Sequence, residues 1–167
     1  INCESETSCD IQLTVLTKEG AIQLQKIYGG TSYDKASAVL PISDGGYFLL
    51  GSTSSFGAGN YDILLIRTDE KGEVVWQKTY GGLYSDVLRS VEQTKDGGYI
   101  LGGYSNSPQS GDKTEASIGI GDYWILKTDA MGAVEWQHAY GGTGDNQLYV
   151  IHQTADEGYI VGGNTNS

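Results

Sequence analysis

DILLIRTDEKGEVVWQKTYGG, residues 62–82, reads as two strands joined by a turn. Ile63 to Thr68 is an apolar run closed by a threonine, and Thr68-Asp69-Glu70-Lys71-Gly72 has turn chemistry. From Val74 to Lys78 the sequence alternates, with Val74 and Trp76 on one side and Val75 and Lys78 in more polar columns. Period-two alternation over a short segment is the mark of a half-buried strand. The stretch also recurs, and the recurrence decides the fold.

Tyr-Gly-Gly occurs at Tyr28, Tyr80 and Tyr140, at intervals of 52 and 60 residues. Asp-Gly-Gly-Tyr follows the same spacing from Asp44, from Asp96 and, as Asp-Glu-Gly-Tyr, from Asp156. The columns Asp10/Asp62/Asp122, Gly20/Gly72/Gly132, Gln25/Gln77/Gln137 and Leu24/Trp76/Trp136 agree with that register. Each unit carries four short strands. The first is 36–42 with 88–94 and 148–154, the second 47–50 with 99–101 and 159–161. The third is 63–68 with 123–128 and 11–16, and the fourth starts at Val74. Glycine at the tight turns supplies positive φ without a Cβ clash. No segment shows a sustained 3.6-residue period, so helix is expected to be nearly absent.

Four short antiparallel strands per unit of about 50 residues, with glycine turns and aromatic markers, describe a β-propeller blade. The expected fold is all-β, with three blades' worth of strands, twelve in all. Residues 1–9 form a polar N-terminal segment with two cysteines. Half a unit follows at 10–30, then full units at 31–82 and 83–142, the second with an insertion at 108–121, and a half unit at 143–167. Because propellers close with about four to eight blades, three are expected to belong to a longer propeller, or else to pair with a second chain.

The pattern from Asp62 to Gly82, followed by Asp96-Gly-Gly-Tyr-Ile-Leu-Gly-Gly-Tyr-Ser-Asn-Ser107, resembles the bacterial β-propeller repeat family often called SBBP. The insertion Ser110-Gly-Asp-Lys-Thr-Glu115 is similar to the version abundant in secreted Bacteroidetes proteins, many of which carry a type IX secretion sorting domain. The resemblance spans about residues 10–167. It implies a secreted or cell-surface propeller and brings no catalytic motif.

Composition narrows the function classes. The chain has 167 residues, 25 glycines, 2 prolines and a net charge of −11. Glycine without a G-X-Y period argues against collagen, and the scarcity of proline argues against Pro-rich disorder. The acidic balance argues against nucleic acid, which needs Lys/Arg patches. The longest aliphatic run, Ile63 to Ile66, is far short of the ~20 residues that span a bilayer. Cys3 and Cys9 are spaced for a small disulfide loop, which would place the chain in an oxidising compartment; the alternatives are idle thiols, a weak metal site, or a lipid-modified Cys3.

Candidate chemistry is sparse. His138 shares a column with Lys26 and Lys78, and His152 with Leu40 and Glu92, so both look like variable surface positions rather than catalytic bases. Asp34 and Asp86, with Asn146 in the third copy, follow the Tyr-Gly-Gly turns, while Asp69 and Asp129 precede turns. Repetition in every unit favours backbone capping over catalysis. Calcium on these carboxylates is the alternative, though no EF-hand loop pattern occurs, and a paired-carboxylate glycosidase is a further one. Trp76 and Trp136 are expected in the core. Trp124 breaks a column otherwise holding Gln12 and Leu64. With Tyr104 and with Asp112, Lys113 and Glu115 of the insertion, it forms the candidate sugar- or protein-binding patch; the alternative is a bulky side chain covering a longer loop. No cofactor is expected apart from that calcium alternative. The reading is a non-enzymatic extracellular binding or display module, with a structural spacer and a carbohydrate-active enzyme as alternatives.

Overall fold

A computed structural model describes residues 9–42 and 45–166, so Cys3 and Asp44 lie outside the described residues. It is all-β: twelve strands in four antiparallel sheets, with no helix among the described residues. The first sheet pairs β1 (Ile11–Leu16) with β2 (Ile22–Tyr28). The second runs in chain order through β3 (Asp34–Pro41), β4 (Tyr47–Thr53), β5 (Asp62–Thr68) and β6 (Val74–Tyr80). The third repeats that order with β7 (Asp86–Gln93), β8 (Tyr99–Ser105), β9 (Asp122–Thr128) and β10 (Val134–Tyr140). The fourth pairs β11 (Asn146–Gln153) with β12 (Tyr159–Thr165).

The turns follow the residues that permit them. Gly20, Gly72 and Gly132 adopt φ of +85°, +73° and +74° between the third and fourth strands of a unit. Between the first and second strands, Gly45 and Gly97 take φ of +92° and +86°, and Glu157 occupies the same left-handed conformation at +68°. One feature of the first strand has no signature in the sequence. A bulge interrupts β3 between Ala36 and Ala38, β7 between Leu88 and Ser90, and β11 between Leu148 and Val150.

Alternation along the central strands places side chains on both faces of the middle sheets. Leu64 and Ile66 pack with Leu49 against Ile11, Leu13 and Tyr28 of the first sheet. Ile63 and Leu65, with Phe48, Leu50 and Tyr80, meet Leu88, Tyr99, Leu101, Trp124 and Leu126 of the third. Ile100 and Ile125 in turn pack against Leu148 and Ile151 of the fourth. A strand buried on both faces must be apolar without interruption, which accounts for the run Ile63 to Ile66. Trp76 and Trp136 are half-buried and pack against these clusters.

Two tyrosines of the Tyr-Gly-Gly motif tie the first sheet to the second and the second to the third. The Tyr28 hydroxyl donates to the carbonyl of Gly72 at 2.8 Å, and Tyr80 donates to Gly132 at 2.6 Å. Burial pushes both phenols above their ordinary pKa. Cys9 takes part in a disulfide; the expected loop to Cys3 reaches outside the described residues.

Candidate functional site

The longest connection, residues 106–121 between β8 and β9, is held by a dense set of bonds. Ser110 and Lys113 exchange backbone hydrogen bonds of 3.1 and 3.0 Å, forming a tight turn with Gly111 at φ +57°. Asp112 donates its N–H to Gly81 O at 2.8 Å, which pins the turn to the loop after β6. Gln137 of β10 is the hub. Its Oε1 accepts from Thr114 N at 3.1 Å and from Trp124 Nε1 at 3.0 Å, and its Nε2 donates to Asp112 O at 2.7 Å. Glu115 accepts from Ala139 N at 2.7 Å and pairs with His138 at 2.9 Å. Those two contacts, the Ala139 amide first, hold its carboxyl below the usual range.

Two residues of the expected binding patch lie inside the protein. Trp124 is fully buried, in register with Leu64, and packs in the cluster between the second and third sheets. Lys113 is 2% exposed; its Nζ donates to Ser107 O at 2.9 Å and Ser117 Oγ at 2.7 Å and sits 5.9 Å from the Trp124 ring centroid. Burial pulls the Lys113 pKa down against the attraction of Asp86, Asp122 and Glu115. Neither presents a surface to a ligand, so the insertion covers Trp124 rather than displaying it. Tyr104 is half-buried beside Gly121, where a Cβ would collide with its ring. Asp112 is exposed and Glu115 half-buried.

Exposed apolar side chains gather elsewhere on the same end of the molecule. Ile118 and Ile120 of the insertion are 68% and 67% exposed, Leu83 55% and Tyr84 49%. Tyr61 joins them: Asn60 N donates to Tyr84 O at 2.8 Å, and the Tyr61 ring lies edge-on to Tyr33 at 6.1 Å. Contacts of Ser107, Ser110 and Asp112 with 81–84, and of Ile120 with Gly144, seat the insertion across two successive sheet junctions, so that these exposed residues line a rim that runs from one junction to the next. None of the rim residues breaks a repeated column in a way that marks it; their exposure follows from loop packing.

The repeated carboxylates cap backbone, as their positions before turns suggested. Asp69 Oδ1 accepts from Lys71 N and Glu73 N, and Asp129 Oδ1 from Met131 N and Ala133 N. At the junctions between sheets, Asp34 Oδ2 accepts from Gly30 N and Ser55 Oγ, and Asp86 Oδ2 from Gly82 N and Ser107 Oγ. Asp62 Oδ2 accepts from Ala58 N and Gly59 N. Burial, with Asp86 and Asp112 adding, outweighs these bonds and raises the Asp62 pKa. The two histidines pair with glutamates, His138 with Glu115 and His152 with Glu92. Among the described residues, no group of three or more His, Cys, Asp or Glu is placed to hold a metal ion. Among the described residues, no helix is long and apolar enough to cross a membrane.

No protein-family model matches the chain, and no curated protein sequence matches it.

Proposed function

We propose that this chain is part of a β-propeller of the SBBP-like kind, and that it serves as a non-enzymatic binding module of a secreted or cell-surface bacterial protein. Four-stranded meanders packed face to face through alternating apolar columns support blades as the reading of the sheets. The observation that carries the binding reading is the apolar rim of Tyr61, Leu83, Tyr84, Ile118 and Ile120, held in place by the bonded insertion. Rigid scaffolds commonly place recognition on loops, and clustered exposed apolar side chains mark interaction sites. Three aliphatic side chains beside two tyrosines suit an apolar protein segment better than a sugar, which favours flat aromatic faces ringed by hydrogen-bonding groups.

The test is surface plasmon resonance against extracellular-matrix proteins and a polysaccharide panel, comparing wild type with Ile118→Ser/Ile120→Ser and Tyr84→Ser. These positions are exposed, so folding should be kept. Binding to a protein that weakens at least tenfold in the variants supports the reading. Saccharide binding would replace the ligand class, and binding unchanged by the substitutions would move the site off this rim.

A second reading, assembly through further repeat strands, has its own observation. Tyr140 is 52% exposed where Tyr28 and Tyr80 are buried. Beside it, Tyr123, Ile125, Trp136, Tyr159 and Val161 line an open groove, while their counterparts Ile63, Leu65, Trp76, Tyr99 and Leu101 lie in or against the closed core. Strands three and four of another repeat, from the same protein or a second copy, fit that groove. Light scattering of the chain at rising concentration tests the second-copy version by its mass.

A further inference from the structure

The third sheet junction differs from the other two at one atom, with Asn146 in the column of Asp34 and Asp86. Asp34 Oδ1, like Asp86 Oδ1, is buried without a hydrogen-bond partner, but the first junction's Asp10 is exposed where the second junction's Asp62 is buried. Between the third and fourth sheets, Asn146 Nδ2 donates to Gly121 O and Asp122 Oδ1, both at 3.3 Å, and to Gly144 O at 3.4 Å. An amide donor therefore sits among three acceptors. Asp86 occupies the same column between the second and third sheets. The register is common to both, since the backbone N–H of Asp86 donates to Tyr61 O at 2.7 Å as that of Asn146 donates to Gly121 O at 2.9 Å. Tyr61, Asp62 and Tyr84 thus stand where Gly121, Asp122 and Gly144 surround the amide.

At the second junction a carboxylate oxygen replaces the donor. Asp86 Oδ2 is engaged by Gly82 N at 2.7 Å and Ser107 Oγ at 2.8 Å, but Asp86 Oδ1 and Asp62 Oδ1 have no hydrogen-bond partner. Both residues are 0% exposed. Two buried carboxylates with unpartnered oxygens are strongly unfavourable unless positive charge lies between them. Lys113, the nearby buried cation, directs its N–H groups to Ser107 O and Ser117 Oγ instead. At Gly81 a side chain would collide with the Asp62 carboxylate, as one at Gly141 would with Asp122, so both junctions need glycine there.

We propose that this junction is a cation site of the calcium class, with Asp62 Oδ1 and Asp86 Oδ1 as ligands, the main-chain carbonyls of Tyr61 and Tyr84 as further oxygen donors and water in the remaining positions. An all-oxygen set with two carboxylates selects a hard cation over zinc, which prefers nitrogen and sulfur. Exposed Asp112, close enough to act on the Asp62 carboxyl, puts negative potential at the approach from the rim. Asn146 gives the third junction an internal equivalent in which a neutral donor does the work of the ion. This site depends on the repeat register and not on what the rim binds, so either reading can fail alone.

The experiment is thermal unfolding of the chelator-stripped chain with added Ca²⁺ at pH 7, with stoichiometry from isothermal titration calorimetry. A saturable rise in Tm of roughly 5–10 °C is expected once the ion is about 100-fold above its Kd. Asp86→Asn copies the third junction, keeping an acceptor for Gly82 N and Ser107 Oγ; it should raise the Tm of the stripped chain and abolish the response to Ca²⁺. Asp62→Asn, checked by near-ultraviolet circular dichroism, is the second variant should Asp86→Asn not fold, with loss of the response again expected. A Ca²⁺ shift that survives a folded variant overturns the assignment. So does a wild type indifferent to Ca²⁺ whose stability climbs as pH falls from 7 to 5, because a shared proton then holds the pair.

Discussion

Tyr80→Phe removes one atom from the joint between the second and third sheets. The hydroxyl donates to Gly132 O at 2.6 Å, and the residue is 4% exposed. Phenylalanine keeps the ring among Ile63, Leu65 and their neighbours, so packing is preserved and the hydrogen bond alone is lost. Leaving a buried carbonyl without its donor costs about 1–3 kcal/mol. With a urea m-value of about 2 kcal/mol/M for a chain of this size, the unfolding midpoint should fall by about 0.5–1.5 M at constant m. Tyr140→Phe is the matched control. Its ring occupies the same column but is 52% exposed, so its midpoint should stay within about 0.25 M of wild type, the effect of an ordinary surface substitution. Equal effects of the two substitutions, or none from Tyr80→Phe, would refute the idea that these tyrosines lock successive sheets.

Three further outcomes are expected. Glu157→Gly should stabilise the chain by about 0.5–1 kcal/mol, because Glu157 holds φ +68° where Gly45 and Gly97 stand in the other units; a lower urea midpoint would contradict this. Thr94 and Lys127 hold the Asp96 carboxyl well below its usual range. Its contribution is therefore present above pH about 4 and lost as pH falls. Asp96→Asn should flatten the acid limb of a stability–pH curve, and an unchanged limb would place the acid sensitivity elsewhere. Gln137→Ala removes the hub of the insertion and should cost about 1–3 kcal/mol. Faster hydrogen exchange at Thr114 should accompany that loss, whereas unchanged exchange there would show that the other bonds suffice.

Strand positions were legible because every column was sampled three times. β1 begins and ends where the alternation places it, at Ile11 and Leu16. The second strands run further than the sequence suggests, to Thr53, Ser105 and Thr165. Gly-Ser-Thr and Gly-Gly-Tyr-Ser look like loop when read locally, but in the two complete sheets these residues continue ladders with strands on both sides. Bulges at Ala36, Leu88 and Leu148 shift the inward phase of the first strand, and no residue type announces them. Trp124 shows the opposite lesson. Its column partner Leu64 is buried, and column membership was a better guide to its place than its size. Lys113 could not be read, because its burial depends on a carbonyl and a hydroxyl within its own loop. The Asp86/Asn146 difference was visible as letters, but its meaning required knowing which oxygens surround the position.

Blade character is the claim on which the proposed function rests, and an experimental structure of the chain together with its neighbouring repeats measures it most directly. Successive sheets should rotate about one common axis, with β3, β7 and β11, which meet through β7, lining that axis. Sheets stacked in a straight row, with no shared axis and β7 no closer to a centre than β10, would contradict it.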